Sequence, residues 1–185
     1  MGRHRVIDRN AVLEAAERVV LRDGVGRLTL DAVAAEAGIS KASVLYDCKT
    51  KQGLIAAMIE RRVALEDAKI ADAMQHQGDG PDQMVKARLD VASRRVSDED
   101  RNVILSLCGF LAEDARLREP IQRSVRKRMQ DIQADARNPR GALLAFLAVE
   151  GLMALEWLDF HAWTEDERGR LMSEIRWLID QTPEG

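Results

Sequence analysis

Hydrogen-bonding side chains are concentrated in one short stretch of the sequence, GISKASVLYDCKTKQGL, at positions 38–54. Ser43 can donate to, or accept from, a base or a phosphate, and Lys41 can reach a guanine edge or a phosphate. Tyr46 offers a hydroxyl group to phosphate oxygens. Small and polar residues of this kind let a helix backbone approach base edges closely. The stretch therefore indicates contact with double-stranded nucleic acid.

Two further lysines, Lys49 and Lys51, flank the predicted start of a long helix at Thr50. The free N–H groups and the positive dipole end of a helix N-terminus already favour an anion. Together with the Tyr46 hydroxyl, these features bring three kinds of phosphate contact to one place.

The elements that must position these residues are helices, because apolar residues recur at helical spacing and no run of alternating β-branched residues is found. Gly38 ends one short helix and Ser40 caps the next, so the stretch reads as helix, tight turn, helix. A recognition helix in such an arrangement enters the DNA major groove. A polar-surfaced corner between two helices, with solvated lysines, has the same spacing and remains an alternative. The sequence predicts an all-α fold with helices at about 7–23, 30–37, 41–47, 50–76, 81–95, 99–114, 117–136, 141–163 and 165–181.

The composition indicates a globular protein, and it neither requires nor excludes a polyanionic partner. The 185 residues are 46% apolar, and the formal net charge is −3. Residues 1–52 hold nine basic and seven acidic side chains, a net of +2, so the positive end is the amino end. The first residues show no apolar signal-peptide core, and the longest apolar run contains two glutamates. These features predict a cytoplasmic protein with no membrane segment.

Catalytic and metal-binding patterns are not found in the sequence. His4, His76 and His161 are scattered, and Cys48 and Cys108 lie sixty positions apart. No HExxH, GxSxG, GxGxxG or P-loop pattern occurs. We therefore predict no catalytic residue, no metal site, no cofactor and no enzymatic activity.

From about residue 6 to residue 64, the order VLEAAERVVLRDGVGRLTLDAVAAEAGISKASVLYDCKTKQGLIAAMI resembles the amino-terminal DNA-binding domain of the TetR family of bacterial transcription regulators. The register holds without a gap across about a third of the chain. The resemblance implies that Tyr46 and Lys51 hold phosphate and that the recognition helix reads bases. The DNA-binding residues expected from the resemblance and from the lysine pattern are Thr29, Ser40, Lys41, Ala42, Ser43, Leu45, Tyr46, Lys49 and Lys51.

Two residues depart from the family pattern in this segment. Asp47 brings negative charge towards phosphates, which costs affinity unless Lys49 or an arginine neutralises it or the side chain points away. Cys48 stands where the family usually has a phenylalanine, so it is a small core anchor in place of a large one. A redox role for Cys48 is the alternative to a structural thiol.

The carboxy-terminal helices predict an interface between two copies of the chain. The helix predicted at 141–163 is apolar nearly all round, so it must be covered on more than one side. The last predicted helix, at 165–181, also carries an apolar stripe. These two helices from each of two chains would form a four-helix interface, as the family resemblance also implies. A single thick core within one chain is the alternative. The predicted interface residues are Leu144, Ala148, Gly151, Leu152, Leu155, Leu171, Ile175 and Leu178.

The family resemblance also implies a ligand pocket among the middle helices. The residues expected near it are Cys108, Phe110, Met129, Met153, Trp157 and Phe160. Glu156 and His161 are its candidate polar partners. Sulfur-containing and aromatic residues at helical spacing also fit a plain core, and that alternative stays open.

These observations lead to one functional hypothesis and one alternative. The hypothesis is a homodimeric, sequence-specific transcription regulator, a repressor that binds a palindromic DNA operator and is released by a small-molecule effector. Its DNA-binding domain would span residues 1–52 and extend into the long helix to about 64. Residues 65–185 would form the ligand-binding and dimerisation domain. The alternative is an all-α small-molecule carrier or adaptor protein with a non-functional helix-turn-helix.

Overall fold

The computed structural model describes residues 8–181. Within that range the chain forms nine α-helices and two 3-10 turns, and no strand occurs there, so the predicted all-α class is confirmed. The helices are α1 Arg9–Asp23, α2 Leu30–Ala37, α3 Lys41–Cys48, α4 Lys51–Gln77, α5 Gln83–Ser93, α6 Asp98–Glu113, α7 Glu119–Asp135, α8 Pro139–Trp157 and α9 Glu165–Leu178. The 3-10 turns are Val25–Arg27 and Ala115–Arg118.

Local sequence signals account for most helix ends. Asp8 caps α1 by accepting a hydrogen bond from the Asn10 backbone N–H at 2.9 Å. The capping box expected at the start of α9 is present: Thr164 accepts from the Glu167 N–H, and the Glu167 carboxylate accepts from the Thr164 N–H at 2.9 Å. Side-chain caps of this kind satisfy backbone donors that the helix itself leaves free.

The helix α8 ends earlier than its apolar composition predicts. The expected range was 141–163, whereas the helix runs over Pro139–Trp157. Asp159 takes a positive φ of 56°, and the Phe160 N–H turns back to donate to the Leu155 carbonyl oxygen at 2.9 Å. The apolar pattern continues beyond the helix, so it could not show where the backbone stops being helical.

The described chain packs as two compact units. The first contains the residues up to Val63 together with Asp98–Ile121, and the second contains Ala64–Ser97 and the residues from Gln122 onward. Packing therefore places α6 with the amino-terminal helices, where the sequence analysis had put every residue after 64 in one domain. The functional division at about residue 64 stays a prediction.

The helices α1, α2, α3, α4 and α6 all contribute buried residues to the core of the amino-terminal unit. Val103 and Leu107 of α6 are buried in it. A polar link ties the same helices: the Arg62 guanidinium donates to both carboxylate oxygens of Glu17, at 2.9 and 2.7 Å, and also bonds Asp100. Because Asp100 lies in the first turn of α6, this link and the buried side chains hold α6 against α1 and α4. The fully or largely buried core residues are Val12, Leu13, Ala15, Ala16, Val19, Val20, Leu28, Val33, Ala34, Val44, Cys48, Leu54, Ile55, Ala57, Met58, Ile59, Val103, Leu107 and Leu117.

The core of the carboxy-terminal unit contains a fully buried arginine, Arg88 of α5, whose exposed fraction is 0%. Its Nε donates to the Glu150 carboxylate at 2.6 Å, and one terminal nitrogen donates to the Glu66 carboxylate at 3.3 Å. A buried charge must be paired in this way because an unpaired one is very costly away from water. The buried apolar residues of this core include Ile70, Leu89, Ile132, Ala142, Ala145, Phe146, Val149, Leu152, Met153, Ile175 and Ile179.

Candidate nucleic-acid interface

The turn between α2 and α3 has the geometry that the glycine signal predicts. Gly38 adopts the left-handed conformation, with φ 66° and ψ 34°. Its N–H donates to the Ala35 carbonyl at 3.3 Å, and the N–H of Ile39 donates to the Ala34 carbonyl at 3.0 Å. This double closure of the helix C-terminus fixes the direction in which the chain enters α3.

The start of α3 is held by a serine pair. Ser40 accepts a hydrogen bond from the Ser43 N–H at 3.2 Å, and the two hydroxyl oxygens lie 2.7 Å apart. At the start of α2, Thr29 likewise accepts from the Ala32 N–H at 3.1 Å. The hydroxyl groups expected to meet DNA therefore also cap their own helices, which fixes their positions before any ligand binds.

The outward face of α3 is the one that the sequence predicts. Ala42 and Leu45 are exposed, and 83% of Tyr46 is exposed. Val44 is completely buried on the opposite side of the same helix. The structure thus gathers the predicted small and polar residues, with Tyr46, on one accessible surface; we call this set, Ser40, Lys41, Ala42, Ser43, Leu45 and Tyr46, the recognition face.

The three lysines near this face differ in their partners. The Lys41 ammonium donates to the Asp31 carboxylate at 2.8 Å, and both side chains are largely exposed. Neither Lys49 nor Lys51 is ion-paired with a carboxylate in the range 8–181. Uncompensated positive charge is therefore concentrated where α3 ends and α4 begins.

Lys51 is half-buried, and two groups of the amino-terminal unit surround its ammonium. Nζ donates to the Val25 carbonyl oxygen at 3.4 Å and lies 5.8 Å from the centroid of the Phe110 ring. Phe110 also packs against the amino-terminal core. A residue predicted for a ligand pocket thus lies beside a residue predicted for phosphate binding.

The sequence analysis did not identify Gly53, although it shapes this junction. A Cβ at Gly53 would collide with the Cys48 carbonyl oxygen, which approaches the first turn of α4. The Gly53 N–H donates to the Thr50 hydroxyl at 3.0 Å, so Thr50 caps α4. An isolated glycine near the start of an apolar helical pattern is the signal that could have indicated this close approach.

The two residues that depart from the family pattern lie outside the recognition face. Asp47 is half-buried and Cys48 is buried in the amino-terminal core. Burial raises the pKa of the Cys48 thiol; the positive charge of Arg9 acts in the opposite direction and Asp47 in the same direction. Burial likewise raises the pKa of the Cys108 thiol. Because the thiolate is the reactive form, these shifts favour a structural role over a redox role for both cysteines.

The residues predicted for the ligand pocket are distributed over both units. Met153 is buried in the carboxy-terminal core, and Met129 and Trp157 pack against that core. Cys108 and Phe110 lie in the amino-terminal unit, and 72% of Phe160 is exposed. Three of the six residues therefore lie in or against one core, and the other three do not. A shallow concavity on α9 is open to solvent, and none of the six lines it.

The two candidate polar partners of that pocket have partners of their own. The Glu156 carboxylate accepts hydrogen bonds from Arg168 at 2.7 and 3.2 Å. His161 makes an edge contact with the Trp163 ring, with 4.1 Å between the ring centroids. The buried indole nitrogen of Trp157 has no hydrogen-bond partner within residues 8–181.

The predicted dimer residues separate into exposed and buried sets. On α8, Leu144, Gly151 and Leu155 are exposed and Ala148 is half-buried. Leu152 and Ile175 are buried in the carboxy-terminal core of the same chain, and Leu171 and Leu178 pack against that core. Two further large apolar residues of α8 and α9 are exposed, Leu147 at 53% and Trp177 at 60%. We call the exposed side of α8, formed by Leu144, Leu147, Gly151, Ala154 and Leu155, the α8 face.

The helix-turn-helix with an accessible, cation-flanked recognition face defines a DNA-binding protein, and comparison with known families agrees. Residues 12–58 match the family model described as "Bacterial regulatory proteins, tetR family". Residues 82–180, more than half of the chain, match the model "Tetracyclin repressor-like, C-terminal domain". The chain belongs to the TetR family, and it is a DNA-binding transcriptional regulator. Membership also places it among transcription factors and not among enzymes.

Solved structures share this fold at low sequence identity. The regulator SCO7518 from Streptomyces coelicolor A3(2) superposes with a TM-score of 0.72 at 18% identity, over 94% of this chain and 98% of that chain. A TetR-family regulator from Rhodococcus sp. gives 0.70 at 22% identity, over 93% and 98%. The multidrug binding protein EbrR, complexed with imidazole, gives 0.67 at 18% identity, over 95% and 96%. A comparison with curated proteins gives no match.

Membrane-spanning helices and metal-binding clusters are both absent from the part of the chain that the structure describes. No helix there is both long and apolar enough to cross a membrane. Between residues 8 and 181, no three side chains of His, Cys, Asp or Glu are grouped so that they could hold a metal ion.

Proposed function

We propose that the protein is a homodimeric repressor that binds a palindromic operator through two recognition faces and leaves it when a small organic molecule binds the carboxy-terminal unit. The observation that carries the DNA-binding part is the recognition face itself, with Tyr46 83% exposed. Beside it lie Lys49 and Lys51, which have no carboxylate partner among residues 8–181. A bacterial DNA target implies that the protein works in the cytoplasm.

The α8 face supports the dimer. Its leucines are exposed while Phe146 and Val149, on the other side of α8, are buried in the protomer. Contiguous exposed apolar side chains on a soluble helix mark an interaction surface, and Gly151 and Ala154 permit close approach of a second helix. A two-fold dimer presents two recognition faces, which matches a DNA site with two-fold symmetry.

The effector part rests on the family and on one relative. The relative EbrR is a multidrug binding protein whose structures contain imidazole or malachite green. In this chain Met129, Met153 and Trp157 lie together in or against the carboxy-terminal core. Soft sulfur and indole groups of this kind suit apolar and aromatic ligands. We place the effector site at these three residues.

A binding assay with the DNA upstream of the protein's own gene tests the central proposal. We expect sequence-selective binding that weakens steeply as salt rises, because phosphate contacts release counterions. Replacing Lys49→Gln should reduce the slope of log affinity against log salt by about one, whereas Lys127→Gln, on α7 of the other unit, should leave it unchanged. Binding that is absent at low salt would favour the carrier or adaptor alternative.

The effector proposal has a separate test. Small organic molecules, beginning with imidazole and malachite green, are titrated into the preformed protein–DNA complex. An effector that prefers the DNA-free state must lower DNA affinity by the ratio of its two affinities. Met153→Ala or Trp157→Phe should change the effector concentration needed without changing DNA affinity in its absence. A ligand that binds tightly and leaves DNA affinity unchanged would contradict the proposed release.

A further inference from the structure

The surroundings of Lys51 distinguish it from the other lysines of the amino-terminal unit. Its ammonium donates to the Val25 carbonyl at 3.4 Å and lies 5.8 Å from the centre of the Phe110 ring, within the range of a cation–π interaction. Lys41, by contrast, is neutralised by Asp31, and Lys49 is exposed. Lys51 is therefore held in place while no carboxylate in the described part of the chain pairs with its charge.

An ammonium group has three N–H donors, and here the Val25 carbonyl accepts one. The Phe110 ring attracts the charge through its π face and takes no conventional hydrogen bond. At least one donor of Lys51 thus remains for a phosphate oxygen. Lysine loses much rotamer freedom when its side chain is fixed, so holding the ammonium in advance lowers the cost of binding.

We propose that Phe110 of α6 is a positioning residue for DNA: its ring holds the Lys51 ammonium at the start of α4, ready for a backbone phosphate. The inference rests on the proposed function only in that Lys51 binds DNA. Phe110 lies outside the match to the DNA-binding domain, which ends at residue 58. Its contribution arises because α6 packs in the amino-terminal unit.

The test uses fluorescence anisotropy with a labelled duplex of fixed, non-operator sequence, because every duplex offers phosphates. Titrations over a series of salt concentrations compare wild type with Phe110→Leu and Phe110→Tyr. The leucine keeps an apolar side chain and removes the ring, whereas the tyrosine keeps the ring. We expect Phe110→Leu to weaken binding about 3- to 10-fold and to make the salt slope shallower, and Phe110→Tyr to stay within about twofold of wild type.

A double-mutant cycle separates positioning from packing. In a Lys51→Gln background, Phe110→Leu should have no further effect on DNA affinity, because the ammonium it positions is gone. A loss of equal size in both backgrounds would overturn the proposal, since Phe110 would then act through the packing of α6. Stronger binding by Phe110→Leu would also overturn it, because the ring would then withhold Lys51 from DNA.

A second series keeps the proposal testable if the leucine variant fails to fold. Replacing Phe110 with phenylalanines that carry one, two or three fluorine atoms weakens the π face stepwise at nearly constant volume. Affinity for the duplex should fall stepwise, and a flat series would overturn the proposal. Wild-type binding without sequence preference would count against the proposed regulator while leaving this measurement valid. Failure of the wild type to bind any duplex would overturn both.

Discussion

The recognition face and the α8 face are both exposed, yet they differ in the chemistry of their side chains and in how the sequence determines them. The first is built from small, hydroxyl-bearing and cationic side chains, with the lysines Lys49 and Lys51 beside it. The second consists of leucines and small residues, with Leu147 53% exposed. One surface suits a polyanion in water, and the other suits an apolar partner that excludes water.

The two surfaces also differ in how the sequence encodes them. All residues of the recognition face lie within seven positions of one capped helix, so local signals determine which side is outward. The α8 face depends on which side of a nearly uniform apolar helix is covered by the rest of the chain, and that is decided by the helices that pack against α8, such as α5 and α9. A surface set by local signals can be read from sequence, whereas one set by tertiary packing cannot.

The largest expected effect comes from charging the α8 face. Leu147→Glu would place a carboxylate in the proposed dimer interface, where burying an unpaired charge is strongly unfavourable. We expect the variant to be monomeric at micromolar concentration and to lose operator affinity roughly 100-fold, because the two half-sites would no longer be bound together. Light scattering after size exclusion and DNA binding measure the two effects.

Leu65→Glu is the matched control for this change, since Leu65 is an exposed leucine on α4. It should leave the oligomeric state as in wild type. A dimeric Leu147→Glu variant with unchanged operator affinity would show that the α8 face is not the interface.

The next largest effect is expected from the buried ion pairs of Arg88 in the carboxy-terminal unit. Arg88→Met leaves the Glu66 and Glu150 carboxylates without their buried partner, and we expect it to lower the free energy of unfolding by about 3 kcal/mol. Arg140→Met replaces an exposed arginine and should change it by less than about 0.5 kcal/mol. Urea unfolding measures both. If both variants changed the free energy of unfolding equally, the ion pairs of Arg88 with Glu66 and Glu150 would contribute little to stability.

A smaller effect is expected at the junction of α3 and α4. Gly53→Ala forces a methyl group against the Cys48 carbonyl oxygen, and we expect a loss of about 1 to 3 kcal/mol. Gly109→Ala is the control in the same unit, because its Cβ would meet nothing within 4 Å and alanine favours a helix by about 0.5 to 1 kcal/mol. The midpoint temperature of thermal unfolding should therefore fall for Gly53→Ala and rise for Gly109→Ala. A shift in the same direction for both variants would contradict the close approach of the Cys48 carbonyl oxygen to Gly53.

The fold and the recognition face could be predicted because their signals are local. Gly38 and Ser40 indicated the turn and the cap, and helical spacing indicated which residues of α3 are buried. The end of α8 could not be predicted, since apolar residues continue past it while Asp159 takes a positive φ. The position of α6 could not be predicted either. Its contact with Lys51 through Phe110 joins residues 59 positions apart, and no local pattern carries that information.

The smallest effect concerns Lys41, the lysine whose charge is already compensated. Asp31→Asn removes its partner, and we expect the freed ammonium to bind a phosphate in a non-operator duplex, making the salt slope steeper by about one. Stability should change by less than about 1 kcal/mol, because both side chains of the pair are largely exposed. Anisotropy titrations at several salt concentrations measure the slope.

A Lys41→Gln background shows whether Asp31 acts through this lysine or through its own charge. If Asp31 withholds Lys41 from phosphates, Asp31→Asn has no effect on the slope once Lys41 is replaced. If the carboxylate simply repels DNA, affinity rises equally in both backgrounds. The first result would make the recognition face a surface whose cations are divided: Lys49 and Lys51 attract any duplex, whereas Lys41 is held back until a sequence offers a better partner than Asp31.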